Sequence, residues 1–139
     1  MAPLYEIVVF TASLSKYADP LLNIIDKYGY CSYRLFREHC TFNRGSFVKD
    51  LERLGRSLNE VIIVDNAPAS YMFQPENAYP CLSWYDDMKD RELYDMVPLL
   101  ESIATVRVMM SLGGWCEAVF EGYFSTRQSV VFLGADYYK

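Results

Sequence analysis

Apolar and polar positions follow two rhythms along this chain. Tyr5–Phe10 (YEIVVF) is a short, β-branched, mostly apolar run, which predicts a buried strand. Residue types that cap helices follow at positions 11–15. From Leu14 to Tyr28 the apolar positions Leu21, Leu22, Ile24 and Ile25 fall at helical spacing, with Tyr17 and Tyr28 on nearby turns. Pro20 suits that helix only in its first turn, and Gly29 is a fair C-terminal stop. Tyr33–Phe36, Thr41–Asn43 and Ser46–Val48 are short strand-like runs around an Asn43-Arg44-Gly45 turn, which predicts a hairpin. Leu51–Leu58 is too short to assign. Val61–Val64 (VIIV) predicts a second buried strand, ending at Asp65-Asn66. Pro68, Pro75 and Pro80 mark the next stretch as loop with short turns. Asp90–Ile103 predicts a helix with Leu93, Met96, Val97, Leu100 and Ile103 as its apolar stripe and Asp90 as its N-cap.

Strands alternating with helices point to an α/β fold with parallel central strands. After Ala104 the pattern changes. Thr105–Lys139 carries a Gly113-Gly114-Trp115 break, several aromatics and one strand-like run, Ser129–Leu133. Residues 105–139 do not continue the earlier pattern.

Composition narrows the function classes. At 139 residues and 52% hydrophobic, the chain supports one domain with a real core and is too apolar for intrinsic disorder. A net charge of −5 argues against direct nucleic-acid binding through a basic face. The longest apolar runs are far too short to span a bilayer, and MAPLYEIVVF has neither the basic nor the apolar region of a secretory signal. Cys31, Cys40, Cys81 and Cys116 contain no C-x-x-C pair, so no zinc pattern is present, and they are expected to be reduced thiols. A single histidine, His39, makes a Ser-His-Asp triad a poor fit.

The candidate chemistry sits at two strand ends. In an open parallel sheet, ligands bind outside the carboxyl ends of the strands. Thr11 and Asp65-Asn66 follow the two apolar strands, so they are expected to converge. A hydroxyl at a strand-to-helix turn suits an anion. An Asp-Asn pair offers oxygen ligands to Mg²⁺, and Lys49 supplies the positive charge of a phosphate site. Each residue also has an ordinary explanation. Thr11 serves as a helix cap, Asp65-Asn66 as a turn, and Lys49 as a solvated charge.

The segments VVFTASLSKYADP, RLFREHCTFNRGSFVKDLERLGR and VIIVDNAPASYMFQPENAYPCLSWYDD resemble the small C-terminal-domain phosphatases. These are the NLI-interacting-factor-like and Dullard-like branch of the haloacid dehalogenase superfamily. The resemblance spans about Leu4 to Ala104. It implies a Rossmannoid parallel sheet with a small β-hairpin insertion. It further implies a Mg²⁺-dependent phosphatase acting on phosphoserine in proteins, notably the tail of RNA polymerase II, through an aspartyl-phosphate intermediate. By resemblance, Thr11 holds a phosphate oxygen and Lys49 neutralises phosphate and nucleophile. Asn66 ligates the metal, with Asp65 in or next to its shell. Leu14 and Tyr17 line an apolar pocket for a substrate proline, and Arg37 is a substrate-facing basic residue. Ordinary helix packing for Leu14 and Tyr17, and a surface charge for Arg37, are the competing explanations.

The family's first motif is a strand followed by Asp-x-Asp-x-Thr, with the first Asp as nucleophile and the second as general acid-base. No Asp-x-Asp occurs in these 139 residues. Asp86-Asp87 are adjacent, and Asp136 follows the Ser129–Leu133 run alone. The opening MAPLY resembles the point just before the family's second strand, so the nucleophile strand is expected to be missing and the chain to begin at an internal Met. The expected division is a partial phosphatase domain over 1–104 and an unmatched tail over 105–139. Loss of a central strand would leave two strands with unpaired edges, a slot that Ser129–Leu133 is apolar enough to fill. Three functional readings stand. The chain is a phosphatase domain made inactive by the missing motif, a non-catalytic phosphopeptide-binding module, or a domain like that of a mitochondrial import receptor. The resemblance places it in the nucleus, with the nuclear envelope or cytoplasm as alternatives.

Overall fold

A computed structural model describes residues 1–104 and 128–132. Strand β1 (Tyr5–Phe10) leads into helix α1 (Ser15–Ile25), and β2 (Cys31–Leu35) pairs parallel with β1. The predicted hairpin forms from β3 (Thr41–Asn43) and β4 (Ser46–Val48). Its two central residues, Arg44 and Gly45, have φ of 48° and 89°. Positive φ at both positions is the turn geometry that matches the twist of two antiparallel strands. Then come β5 (Val61–Asp65), β6 (Ala78–Pro80) and α2 (Glu92–Asp95), with further helix over 97–104. The last described element is β7 (Gln128–Phe132).

The main sheet has five parallel strands in the order β2-β1-β7-β5-β6. Strand β7 lies at its centre. Val131 is opposite Val8 on one side and Ile63 on the other. The slot between the strands that end at Thr11 and Asp65 is therefore filled from residues 105–139, and the expected unpaired edges on β1 and β5 do not occur.

Period-two alternation assigns the sheet's faces. Val8, Phe10, Val61 and Ile63 point to one face and pack with Leu51 and Tyr71. Tyr5 and Val64 point to the other and pack with Met96 and Leu100. The predicted helix over 90–103 is interrupted by a turn at Met96, and its N-cap is Arg91 and not the expected Asp90, whose Oδ1 still accepts from Glu92 N one residue further in. Only Met96 and Leu100 of its five-residue stripe are buried, and Leu93 is exposed. Helix α1 starts at Ser15, so Pro20 lies in its second turn and not its first. The Lys16 carbonyl thereby loses its intrahelical donor, which an exposed position tolerates because water can take the bond. No residue of α1 is buried, and Ile24 is 77% exposed. The expected loop after Asn66 contains two short 3-10 turns, Pro68–Tyr71 and Pro75–Asn77, and also the short edge strand β6. Pro80 is admitted there because it closes the edge strand.

Buried Tyr5 donates its hydroxyl to the Leu100 carbonyl and so ties β1 to the helix over 97–104. Burial pushes this phenol above its ordinary value of 10.0, opposed in part by the backbone bond at Ala104. The folded state therefore holds the proton to higher pH than the unfolded chain. The group has no pH effect on stability below the unfolded value, and stability falls as pH climbs past it. Tyr5→Phe is expected to cost about 1 kcal/mol near neutral pH. It should also flatten the alkaline decline above pH ~10. Thermal melts across pH 7 to 11 (a range chosen to bracket the ordinary tyrosine value) check this, and an unchanged alkaline slope would contradict it.

Candidate phosphate and metal site

Parallel strands deliver their carboxyl ends to one side of the sheet. Thr11, the residue after β1, is buried, and its amide donates to the Leu35 carbonyl at 2.9 Å. Its Oγ1 accepts from Ser13 N at 3.1 Å. The hydroxyl thus shapes a tight local turn and keeps its own proton to donate. It does not cap α1, whose N-cap is Leu14.

Lys49 follows β4 and is 1% exposed, so it is not a solvated charge. Its amide donates to Ser70 O at 2.7 Å, which fixes the backbone where the side chain turns inward. Its ammonium group forms a buried ion pair with Asp65 Oδ2. The other oxygen of Asp65, Oδ1, accepts from Ala67 N at 2.8 Å. A buried charge pair is tolerated only when both partners are paired and hydrogen-bonded, and here both conditions hold. The ammonium has three donors, and two of them have no acceptor among the described residues. Asn66 is half-buried, and its Nδ2 donates to Ser83 Oγ at 2.7 Å. That orientation leaves Oδ1 as an oxygen donor.

The remaining candidates gather near Thr11. Arg37 donates from its backbone to Ser13 O at 3.0 Å and from Nε to Ala12 O at 2.5 Å. Ser15 donates through both its amide and its hydroxyl to Glu38 Oε1, at 3.3 and 2.9 Å, which joins the start of α1 to the 3-10 turn Arg37–His39. Leu14 is half-buried and Tyr17 is 56% exposed in that first turn of α1. Tyr17 is therefore not packed into a core, and Lys16 Nζ lies 4.8 Å from its ring centroid.

Three supporting residues carry weak signals in sequence. Ser83 orients Asn66 from 17 positions away. Phe47 stacks beneath Arg37, with the guanidinium carbon 4.9 Å from the ring centroid. Buried Gln74 accepts from Leu51 N at 3.1 Å and donates to Asp50 Oδ1 at 3.0 Å, which braces the chain just after Lys49. All three act through tertiary proximity, which no local motif encodes.

The donor set suits a hard cation. Asp65 and Asn66 provide oxygen atoms, and Mg²⁺ binds through one or two carboxylates completed by phosphate and water. Among the described residues there is no cluster of three or more His, Cys, Asp or Glu side chains able to hold a metal alone. Cys81, whose amide donates to Asp65 O at 3.1 Å, is no substitute nucleophile. Burial, with Asp65 and Glu92 nearby, pushes its thiol up, so it stays protonated at neutral pH. Cys31 is pushed up to about 11 by burial and by Asp26. Among the described residues no disulfide links Cys31, Cys40 and Cys81, and Cys116 lies outside the described residues. Asp87 uses Oδ1 to accept from Lys89 N, and Asp136 lies outside the described residues.

Residues 1–110 match the family model of NLI interacting factor-like phosphatases. The chain is 59% identical over 104 residues to a human CTD small phosphatase-like protein, covering 75% of this chain and 38% of that protein. It is 56% identical over 106 residues to the human carboxy-terminal domain RNA polymerase II polypeptide A small phosphatase 1, covering 76% of this chain and 41% of that protein. A probable C-terminal domain small phosphatase of Dictyostelium discoideum is 58% identical over 106 residues, covering 76% of this chain and 35% of that protein. The chain thus spans well under half the length of these relatives.

Proposed function

The chain belongs to the NLI interacting factor-like phosphatase family, and from that premise we propose that Thr11, Lys49, Asp65 and Asn66 form the phosphate end of a phosphoserine-protein site. The observation that supports this most is the buried Lys49–Asp65 pair beside Asn66, whose Oδ1 has no donor among the described residues, at the carboxyl end of a parallel sheet. Lys49 directs its remaining donors to phosphate oxygens, and Thr11 donates its hydroxyl to another. Asp65 and Asn66 would hold Mg²⁺, which supplies charge neutralisation at the phosphate when bound. Leu14 and Tyr17 offer an apolar rim that fits a substrate proline, and Arg37 faces the ligand beside the Thr11 turn.

In this reading the sheet is of the haloacid dehalogenase type, and the phosphatase-like unit over 1–104 takes its central strand from residues 105–139. The ligand is a phosphoserine segment of a protein such as the RNA polymerase II tail, met in the nucleus and without direct contact to nucleic acid. The covalent mechanism that the family resemblance implies uses a carboxylate nucleophile at the phosphorus. In this reading Asp65 serves Lys49 and the metal and not the phosphorus, and the 139 residues contain no Asp-x-Asp. These 139 residues therefore bind phosphoserine without hydrolysing it. None of the described helices is long and apolar enough to cross a membrane.

Fluorescence anisotropy with a phosphoserine-proline peptide, in parallel with a p-nitrophenyl phosphate assay, tests this. Binding that requires the phosphate and is strengthened by Mg²⁺, without turnover, is the expected result. Equal affinity for the unphosphorylated peptide would remove the phosphate site. Turnover that disappears in Asp65→Ala would remove the non-hydrolytic conclusion.

A further inference from the structure

We infer that Phe47 is a positioning residue for Arg37, holding its guanidinium beside the Thr11 turn with the terminal nitrogens free for ligand. The inference rests on the phosphopeptide reading above, and it assigns to the β3–β4 hairpin a part in recognition. Arg37 is fixed at three points. Its amide and its Nε donate to Ser13 O and Ala12 O, and its guanidinium lies over the Phe47 ring. Phe47 is in turn held by its cross-strand partner Phe42, with ring centroids 5.3 Å apart. A cross-strand aromatic pair and a cation over a ring face are each favourable arrangements, and the second also sets the plane of the guanidinium.

Four of the other arginines have partners of their own among the described residues. Arg34, Arg56 and Arg91 pair with carboxylates. Arg53 donates to His39 O and Thr41 Oγ1. Among the described residues, no carboxylate lies within ion-pair distance of Arg37, although the protein is acidic overall. A half-buried guanidinium that is oriented but not neutralised keeps its two terminal nitrogens for an incoming acceptor. Orienting a side chain before binding reduces the ordering cost at association. A phosphoserine segment has acceptors to offer there, both phosphate oxygens and peptide carbonyls. Phe42 is 65% exposed, so the hairpin's aromatic pair borders the surface that such a segment would cross.

A double-mutant cycle tests the inference. Phe47→Leu keeps apolar bulk and removes the ring face, and Phe47→Tyr keeps the ring. Affinity for a phosphoserine-proline peptide is expected to fall roughly 3- to 10-fold in Phe47→Leu and to stay near wild type in Phe47→Tyr. In an Arg37→Ala background, Phe47→Leu should cause no further loss. Thermal melts of each variant establish that it is folded. Equal losses from Phe47→Leu with and without Arg37 would mean a merely structural role and overturn the inference. So would unchanged affinity in Phe47→Leu or in Arg37→Ala while phosphate-dependent binding persists. If the wild-type chain does not distinguish phosphorylated from unphosphorylated peptide, the underlying site reading fails instead, and this inference with it.

Discussion

Lys49→Met is expected to lower stability by about 3–5 kcal/mol and to abolish phosphate-dependent binding. The substitution removes the ammonium but leaves Asp65, whose side chain is fully buried, with no countercharge. An unpaired carboxylate in that position is far more costly than the lost attraction, because the desolvation it has already undergone is no longer offset. Total stability for a domain of this size is on the order of 5–15 kcal/mol, so the loss is a large fraction of it. The double variant Lys49→Met/Asp65→Leu separates the two effects. Replacing both members with apolar groups of similar volume is expected to restore most of the stability. It should restore none of the binding, since both the positive charge and the carboxylate are gone. Denaturant midpoints and peptide anisotropy measure the two quantities. A single variant as stable as wild type would mean the pair is not held dry. A double variant that still binds phosphopeptide would remove Lys49 from the site.

Strand β7 carries the second large effect. It hydrogen-bonds to a neighbour on each side, so its backbone groups are committed to two ladders. Val131→Pro removes an amide donor from the centre of the sheet and adds a ring that a central strand does not accommodate. The expected cost is roughly 3 kcal/mol or more. Truncation after Arg127 removes the whole strand, exposes facing edges of β1 and β5, and is expected to eliminate the cooperative transition and promote aggregation. Because β7 also sets the spacing between the ends that carry Thr11 and Asp65, phosphate-dependent binding should go with it. Differential scanning calorimetry and light scattering provide the check. A truncated chain that remains monomeric with an unchanged melting temperature would show that β7 is dispensable.

Much of the fold is written locally. The apolar runs at Tyr5–Phe10 and Val61–Val64 are strands because β-branched residues suit a pleated surface buried on both faces. The Arg44-Gly45 turn is legible because two successive positive φ values need residues that tolerate them. The misreadings have a common origin. Pro20 in the second turn of α1 and the interrupted helix over 92–104 depend on which carbonyls face water and which side chains find a partner. Strand β6 is three residues long and exists only because β5 offers it an edge.

The candidate site divides in the same way. Thr11, Asp65 and Asn66 are visible in sequence because a parallel sheet puts chemistry at the ends of its strands. Arg37, Leu14 and Tyr17 became candidates only through resemblance to known relatives. Ser83, Phe47 and Gln74 carry no such mark, since each acts across a gap in the chain that only folding closes.

By itself the sequence determined the α/β class, the two apolar strands, the hairpin, and the family, because periodicity and motif are properties of neighbouring residues. The tertiary structure alone decided that Lys49 is buried against Asp65 and that residues 128–132 form the central strand. Both are pairings between distant segments. Which of the available edges and charges a segment meets is settled by the free energy of the whole fold, and a local pattern does not contain it.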